Sequence, residues 1–189
     1  MNHSGQMQWQ KFGLVAAGLF QDQEDIDSWA KQSFGEVKPG DIKYLDLNGD
    51  GIVDNYDTKP IGYSDIPEIV YGFGFSLQWK AFDLSAFFQG VAHVSFSTLT
   101  DQMQAFVGRN LKESSVFADL YGNTWTPENP GAKYPRMTTG AIDNNNQLST
   151  FWMANGRYLR LKNLELGYTL PKRIANKIAM QSLASTSRV

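Results

Sequence analysis

The sequence predicts an all-β fold, made of antiparallel strands from a transmembrane β-barrel with long extracellular loops. Three observations lead to this prediction: segments in which large apolar residues alternate with small or polar ones, very short connections between neighbouring segments, and two long stretches rich in Gly, Pro, Asn and Asp. The 189 residues are 42% hydrophobic and 13% aromatic, which is sufficient for an ordered structure.

The clearest alternation lies between residues 69 and 89. The first run places large apolar side chains at its odd positions, which are Ile69, Tyr71, Phe73, Phe75, Leu77 and Trp79. After Lys80-Ala81 the pattern resumes at Phe82, Leu84, Ala86 and Phe88. Two alternating runs joined by so short a connection predict a β-hairpin, although Phe87 breaks the pattern and no Asn-Gly or Asp-Gly dipeptide marks the turn.

A third region, residues 158–170, alternates with a change of phase. Leu159 and Leu161 are at odd positions, whereas Leu164 and Leu166 are at even ones, so we expect a β-bulge at Lys162-Asn163. The predicted strands are 68–79, 82–97 and 151–170, with 7–19 as a weaker candidate. Long loops at 21–67 and 98–150 separate them. A tight turn at 80–81 and a short helical connection at 171–178 complete the expected topology, with both on the periplasmic side.

Two other interpretations of these segments remain open at this stage. The same alternation would suit a soluble β-sandwich or β-barrel, in which one face covers a core and not lipid. Aromatic residues at the strand ends favour the membrane interpretation. The longest apolar run, residues 12–20, resembles the core of a signal peptide, but only Lys11 supplies positive charge before it and no convincing cleavage site follows.

Charge and composition argue against several classes of function. The chain has 17 basic and 19 acidic residues, a net charge of -2, which gives no electrostatic reason to expect nucleic-acid binding. It has no cysteine, so thiolate catalysis and zinc–thiolate sites are excluded. Its two histidines are His3 and His93, and His93 lies in a predicted strand. We therefore expect that the protein is not an enzyme.

The sharpest local motif is an acidic loop at residues 46–57. Oxygen-bearing side chains stand at loop positions 1, 3, 5, 9 and 12, Gly51 is at the sharp turn, and Ile52 offers its carbonyl. This spacing predicts a calcium site whose ligands are Asp46, Asn48, Asp50, Ile52, Asp54 and Asp57. Val53 is expected to point away from the ion and anchor the loop.

The acidic loop departs from an EF-hand at its end. Asp57 stands where a bidentate Glu is usual, and Lys59-Pro60 forbids a following helix. The motif is therefore a loop-only site. Asp, Asn and Gly runs also form metal-free turns through their own side-chain hydrogen bonds, which is the alternative interpretation.

Three aromatic residues, two in the second long loop and one at the start of the following predicted strand, are weak candidates for substrate binding. Trp125, Tyr134 and Trp152 could stack on sugar rings. Aromatic packing within a loop or at a membrane boundary is the commoner explanation for such residues.

Several longer strings closely resemble the SusC/RagA family of TonB-dependent outer-membrane transporters. The resemblance covers residues from about Gly18 to about Leu183, and its motifs are long and in the correct order. It rests on Lys38-Pro-Gly-Asp-Ile-Lys-Tyr44, Asp46-Leu-Asn-Gly-Asp-Gly-Ile-Val-Asp54, Phe82-Asp-Leu-Ser-Ala-Phe-Phe-Gln-Gly90, Asn123-Thr-Trp-Thr-Pro-Glu-Asn-Pro130, Tyr134-Pro-Arg136 and, most strongly, Tyr158-Leu-Arg-Leu-Lys-Asn-Leu-Glu-Leu-Gly-Tyr-Thr-Leu-Pro171.

The resemblance implies that residues 1–189 are a partial barrel domain from the C-terminal part of such an importer, without the plug and most of the strands. Proteins of this family import oligosaccharides or peptides across the outer membrane of Gram-negative bacteria, driven through TonB, with a SusD-like surface lipoprotein at the outer mouth. A soluble, calcium-stabilised β-rich module for glycan binding or adhesion is the alternative function.

The end of the sequence departs from the family pattern. Another strand should begin after Leu183, but residues 184–189 read Ala-Ser-Thr-Ser-Arg-Val and contain no terminal aromatic residue. A frameshift, a premature stop or a truncated gene model would explain this departure.

Overall fold

The structure is a computed structural model that describes residues 9–99, 118–138, 140–170 and 184–188. The strands are β1 Phe12–Gly13, β2 Ala16–Leu19, β3 Lys31–Gln32, β4 Ile42–Tyr44, β5 Ile52–Val53, β6 Lys59–Pro60, β7 Ile69–Trp79, β8 Phe82–Ala92, β9 Ser95–Ser97, β10 Met153–Asn155, β11 Tyr158–Thr169 and β12 Ala184–Arg188. A short helix, α1, spans Gln23–Asp27, and 3-10 turns span Asn55–Asp57, Asp143–Asn146 and Thr150–Trp152. Within the described residues, no helix is long and apolar enough to cross a membrane.

The chain divides into two compact units. The loop unit contains the described residues up to Asp65 and those from Ser95 to Asn155. The sheet unit contains Ile66–Val94 and the described residues from Gly156 onward. The four longer strands β7, β8, β11 and β12 therefore belong to the sheet unit, and the short elements belong to the loop unit.

The sheet unit is one antiparallel sheet with the strand order β12-β11-β8-β7. The β7–β8 pair runs without interruption from Ile69 opposite Ala92 to Trp79 opposite Phe82, as the alternation predicted. Lys80 and Ala81 form the connection, and Lys80 has a φ of 56°, which supplies the left-handed turn that a Gly would normally provide. The predicted hairpin is thus confirmed.

The predicted bulge is also confirmed, because the register of β11 against β8 shifts between Leu161 and Asn163. Leu161 lies opposite Phe88 and Leu164 lies opposite Ala86, so one extra residue of β11 is accommodated at Lys162. Since a one-residue slip moves every later side chain to the other face, the bulge brings the leucines of odd and even positions to the same face.

Two predicted strands are divided where the chain passes between the units. β8 ends at Ala92, and His93 has a φ of 51°, which an extended strand cannot contain. Ser95–Ser97 forms β9 and pairs with β10 in the loop unit. The expected strands 82–97 and 151–170 are therefore each a long strand of the sheet unit and a short strand of the loop unit.

The predicted long strand at 7–19 is wrong. Phe12–Gly13 and Ala16–Leu19 pair with β6 and β4 respectively, as short strands of the loop unit. A side chain at Gly13 would collide with Leu148, and Gly18 has a φ of 126°, so the chain bends where a continuous strand was expected. Leu14 and Phe20 are buried, which makes the apolar run of residues 12–20 part of a folded core.

Described residues of the two predicted long loops, 21–67 and 98–150, contribute to one hydrophobic core. Its members come from residues 14–53 and 120–152 and are Leu14, Leu19, Ile42, Tyr44, Val53, Leu120, Trp125, Tyr134 and Trp152. The core explains why connections of such length can be ordered, since each buries apolar surface against the other.

At the C-terminal end, Ala184–Arg188 forms β12 and pairs with residues 165–169 of β11. The expectation that the strand after Leu183 is missing is therefore wrong, because five residues of strand are present there. The predicted helical connection at 171–178 lies outside the described residues.

Candidate functional site

One face of the sheet unit is covered by large apolar side chains. Directly opposed residues of antiparallel strands lie on the same face, so the register alone defines this set. Its members, named here the apolar face, are Ile69, Tyr71, Phe73, Phe75, Leu77, Trp79, Phe82, Leu84, Ala86, Phe88, Leu159, Leu161, Leu164, Leu166 and Tyr168. Along the edge strand β7, where residues of both faces are exposed, the exposed fraction is 54% for Phe75, 61% for Leu77 and 64% for Trp79, whereas Ala86 of β8 is buried.

Three of the aromatic rings of the apolar face, those of Trp79, Phe82 and Tyr168, lie at its turn end. Phe82 and Tyr168 are in contact there, with ring centroids 4.7 Å apart, and Trp79 lies opposite Phe82 in the register. In the other half of the face Phe73 stacks on Phe88 at 5.2 Å, and the Tyr71 ring covers Gly90 so closely that a side chain there would collide with it. Glycine at position 90 is therefore required by the tyrosine of the neighbouring strand.

The opposite side of the sheet carries mostly small and polar residues, together with Val70, Phe87, Val91 and Tyr158, and is named here the polar face. Its members are Val70, Gly72, Gly74, Ser76, Gln78, Asp83, Ser85, Phe87, Gln89, Val91, Tyr158, Arg160, Asn163, Glu165 and Gly167. Arg160 donates to the Gln89 side chain at 3.4 Å and lies 5.4 Å from the Tyr158 ring.

The exception to the alternation, Phe87, has a structural explanation. A Cβ atom at Gly72 would lie 2.9 Å from Phe87 Cζ, and one at Gly74 would lie 3.0 Å from Phe87 Cδ2. The ring of Phe87 thus occupies the space that two glycines leave open on the polar face. The glycines and the misplaced aromatic residue form one packing unit, which the separate strand patterns did not reveal.

In the acidic loop, the side chains bind the backbone amides of the loop itself. Asp46 accepts from Gly49 N at 2.7 Å and from Gly51 N at 2.8 Å, and Asp50 accepts from Ile52 N at 2.8 Å. The amide of Gly51, followed by that of Gly49, lowers the pKa of Asp46, so its carboxylate is charged at neutral pH. Gly49 and Gly51 have φ values of 79° and 86°, which allow the tight course of the loop.

Asp57 closes the acidic loop from the inside. Its carboxylate is completely buried and accepts from Leu47 N at 2.7 Å, from Asn48 N at 3.2 Å and from Asp54 N at 2.8 Å. Asp57 therefore fastens the end of the loop to its beginning. Val53 is completely buried, as expected for the residue that anchors the loop.

The predicted calcium ligands do not converge in this arrangement. Across residues 9–99, 118–138, 140–170 and 184–188, no three His, Asp or Glu side chains are grouped so that they could hold a metal ion. The Asn48 side chain pairs with Asp50, and Asp54 caps the 3-10 turn through Tyr56 N. The carboxylate and amide oxygens of the loop are ligand atoms that suit calcium, whereas their arrangement is that of a hydrogen-bonded turn. The calcium site therefore stays a prediction.

The three aromatic candidates for substrate contact lie in the core of the loop unit. The exposed fractions are 8% for Trp125, 7% for Tyr134 and 3% for Trp152. Trp152 donates to the backbone oxygen of Asn145 at 2.8 Å. Rings that are packed in this way offer no open face to a sugar, and the role of these residues in substrate contact stays a prediction.

A buried polar cluster that the sequence did not reveal joins the two halves of the loop unit. Asp41 is completely buried and lies 2.8 Å from Arg136 Nε, and Arg136 donates to its second oxygen at 3.0 Å. Asn145 donates to Asp41 at 2.9 Å and accepts from Ile42 N at 2.8 Å. Asp41 and Arg136 each lie in a motif of the family resemblance, but neither motif indicates a partner almost a hundred residues away.

Tyr44 extends this cluster into the core. The Tyr44 hydroxyl donates to the backbone oxygen of Asn144 at 2.9 Å. The side-chain amide of Asn144 donates to the backbone oxygen of Ile42 at 2.8 Å. Burial raises the pKa of Tyr44 well above its usual range, so the hydroxyl stays protonated and remains a donor. The cluster joins distant segments of the loop unit through buried hydrogen bonds.

Curated relatives of this chain are TonB-dependent receptors of Formosa agariphila. The chain is 32% identical to TonB-dependent receptor P26 over 159 residues, which is 84% of this chain and 15% of the relative. It is 30% identical to TonB-dependent receptor P3 over 172 residues, or 91% of this chain and 16% of the relative. The chain thus spans about one sixth of the relatives it matches. A comparison with protein-family models gives no match.

Solved structures with a similar fold are those of the RagAB peptide transporter. One matches with a TM-score of 0.61 and 18% identity, covering 95% of this chain and 19% of the matched chain. Another, the RagAB peptide importer in its open-open state, matches with a TM-score of 0.56 and 20% identity over 88% of this chain and 16% of the matched chain. At these identities the likeness concerns the fold.

Proposed function

The chain belongs to the TonB-dependent receptors, and on that premise we propose that its sheet unit is part of the outer-membrane barrel of a SusC/RagA-type importer. The observation that carries this proposal is the continuous apolar face, which has small and polar residues behind it. Alternation of lipid-facing and lumen-facing residues is the rule in outer-membrane barrels, whose outward apolar band is edged by aromatic residues.

The length of the strands supports the same proposal. The first and last Cα atoms of the eleven residues of β7 are ten steps of about 3.3 Å apart, which is about 33 Å. A strand tilt of about 40° reduces the height that this length spans to about 25 Å. The apolar band of an outer-membrane barrel is about 25 Å tall. The alternative of a soluble glycan-binding or adhesion module would leave this face exposed to water.

The orientation, cargo and partners of the importer are part of the proposal. Short turns are periplasmic in such barrels, so the connection at Lys80-Ala81 lies on the periplasmic side and the acidic loop outside the cell. The complete receptor would import oligosaccharides or peptides, driven through TonB, with a SusD-like lipoprotein at its outer mouth.

Contact between lipid and the apolar face is tested by quenching of tryptophan fluorescence. Trp79 is the one tryptophan in the described residues of the sheet unit, since Trp9, Trp29, Trp125 and Trp152 belong to the loop unit. We expect lipids brominated in the upper part of the acyl chain to quench the emission of Trp79 in the complete receptor, because aromatic residues at a strand end lie at the membrane boundary.

The Trp79→Phe variant is the control for this measurement. It keeps an aromatic ring and removes the reporter, so the difference in emission between the receptor and the variant comes from Trp79, and brominated lipid should reduce that difference. A difference that brominated lipid leaves unchanged would contradict the proposal that the apolar face contacts lipid.

Calcium binding by the acidic loop is a separate proposal that rests on its donor set. Each carboxylate oxygen has more than one lone pair, so Asp46 and Asp50 keep coordinating capacity while they accept backbone hydrogen bonds. Loops of this kind bind calcium at up to millimolar concentrations when they lie outside the cell. Asp57 is buried and holds the two ends of the loop together through hydrogen bonds, so the other predicted ligands would supply most of the coordination shell of the calcium ion.

Calorimetric titration of the complete receptor with calcium provides the test. We expect binding at about millimolar calcium, weakened in Asp50→Asn, which removes one charge and keeps the shape of the side chain. Asp143→Asn changes an exposed acidic residue outside the loop and should leave binding unchanged. If the receptor shows no heat of binding at millimolar calcium, the hydrogen-bonded turn accounts for the whole motif.

A further inference from the structure

The turn of the β7–β8 hairpin contains a residue in an unfavourable conformation. Lys80 has a φ of 56°, in the left-handed region that favours glycine and is costly for a residue with a Cβ atom. The hairpin contains only two residues between its strands, and glycine at the first of them would avoid this cost. A lysine in this position is a reason to ask what its side chain does.

The lysine side chain lies beside the aromatic end of the apolar face. Its Nζ atom is 4.7 Å from the centre of the Trp79 ring, and Trp79 lies opposite Phe82, which contacts Tyr168 at 4.7 Å. The ion pairs found within the described residues do not include Lys80. Its ammonium group is therefore held at the edge of an exposed aromatic cluster without an acidic partner.

We propose that Lys80 binds the phosphate of a glycerophospholipid headgroup while Trp79, Phe82 and Tyr168 lie in the interfacial layer of the membrane. Tryptophan and tyrosine rings prefer the level of the headgroups, and lysine extends its ammonium from an apolar surface toward the lipid phosphates. The ligand must be amphiphilic, because the cation stands at the end of a continuous apolar face that accommodates acyl chains. This inference rests on the proposed membrane location of the sheet unit and adds a lipid-binding site to it.

The site is tested by native mass spectrometry of the complete receptor, with phosphatidylglycerol as the probe. We expect Lys80→Gln and Lys80→Gly to lower the apparent affinity for phosphatidylglycerol about five-fold, as the loss of one interfacial lysine implies. Lys80→Arg keeps the charge and should retain the lipid. Lys59→Gln removes an exposed lysine of the loop unit and should change nothing. Inorganic phosphate at equal concentration should not displace the lipid.

The Lys80→Gly variant separates the role of the side chain from the strain of the turn. Because glycine adopts this φ freely, the variant should unfold at a higher denaturant concentration than the parent while it binds less lipid. Unchanged retention of lipid in Lys80→Gln, or displacement of lipid by inorganic phosphate, would overturn the site. Quenching of Trp79 by brominated lipids, which does not depend on Lys80, would show in that case that the membrane location itself still holds.

Discussion

Replacing Arg136 by alanine is expected to unfold or severely destabilise the loop unit. Asp41 is completely buried, and its carboxylate would lose its counter-ion at 2.8 Å while remaining out of reach of water. Breaking a buried ion pair from one side costs about 3–5 kcal/mol, which is a large part of the stability of an ordinary domain. The cost should be visible as a lower midpoint of denaturant unfolding, followed by the fluorescence of the buried Trp125 and Trp152, and as faster proteolysis between residues 30 and 60.

Lys38→Ala is the matched control for Arg136→Ala. Lys38 also pairs with a carboxylate, that of Glu36 at 3.6 Å, but the two side chains are 58% and 82% exposed. Exposed pairs contribute little because water screens them, so this variant should unfold like the parent. Arg136→Lys keeps the charge but cannot reach both oxygens of Asp41, so it should fall between the two. Equal unfolding midpoints for Arg136→Ala and Lys38→Ala would show that the buried pair does not stabilise the loop unit.

A second large effect is expected from a charge placed in the middle of the apolar face. Phe75 lies in the centre of β7 and is 54% exposed, so Phe75→Arg would carry a guanidinium into the proposed hydrocarbon layer. An arginine at the midplane of an outer-membrane barrel costs about 2–4 kcal/mol. The complete receptor with this substitution should assemble poorly in lipid vesicles, measured as the fraction that shows the heat-modifiable mobility of a folded barrel in electrophoresis.

Ser76→Arg is the control, because the adjacent residue of the same strand points to the polar face. The two variants introduce the same side chain one residue apart, and the two positions differ only in the face they occupy. Ser76→Arg should therefore assemble like the parent. If both variants assembled equally well, the apolar face would not be the lipid-contacting surface, and if both failed equally, the two faces would not differ in their surroundings.

The local alternation of side chains predicted the sheet unit well. A period of two is a property of neighbouring residues, so the sequence alone indicated β7, β8 and β11, the connection at Lys80-Ala81 and the bulge at Lys162. It did not explain Phe87, because the space for its ring comes from Gly72 and Gly74 on the neighbouring strand. Register across strands is needed to see that contact.

The loop unit could not be predicted in the same way. Ile42 is hydrogen-bonded to Asn145, and Tyr44 is hydrogen-bonded to Asn144, about a hundred residues away along the chain. No local sequence pattern predicts such pairs. The same distant contacts turned the expected strand at 7–19 into short strands of a core and buried Trp125 and Trp152. In the acidic loop the sequence specified the oxygen donors, whereas the fold decided that Asp57 faces inward.

The sequence by itself thus determined β7, β8 and β11, the alternation of their two faces and, through long motifs, the family of the protein. Only the tertiary structure decided which long loops fold together and which polar groups are buried. The physical reason is that alternation and turn residues act on neighbours in the chain, while burial depends on contacts that form after distant segments have met. Lys80 shows both effects, because its place in the turn is visible in the sequence and its strained backbone is visible only in the fold.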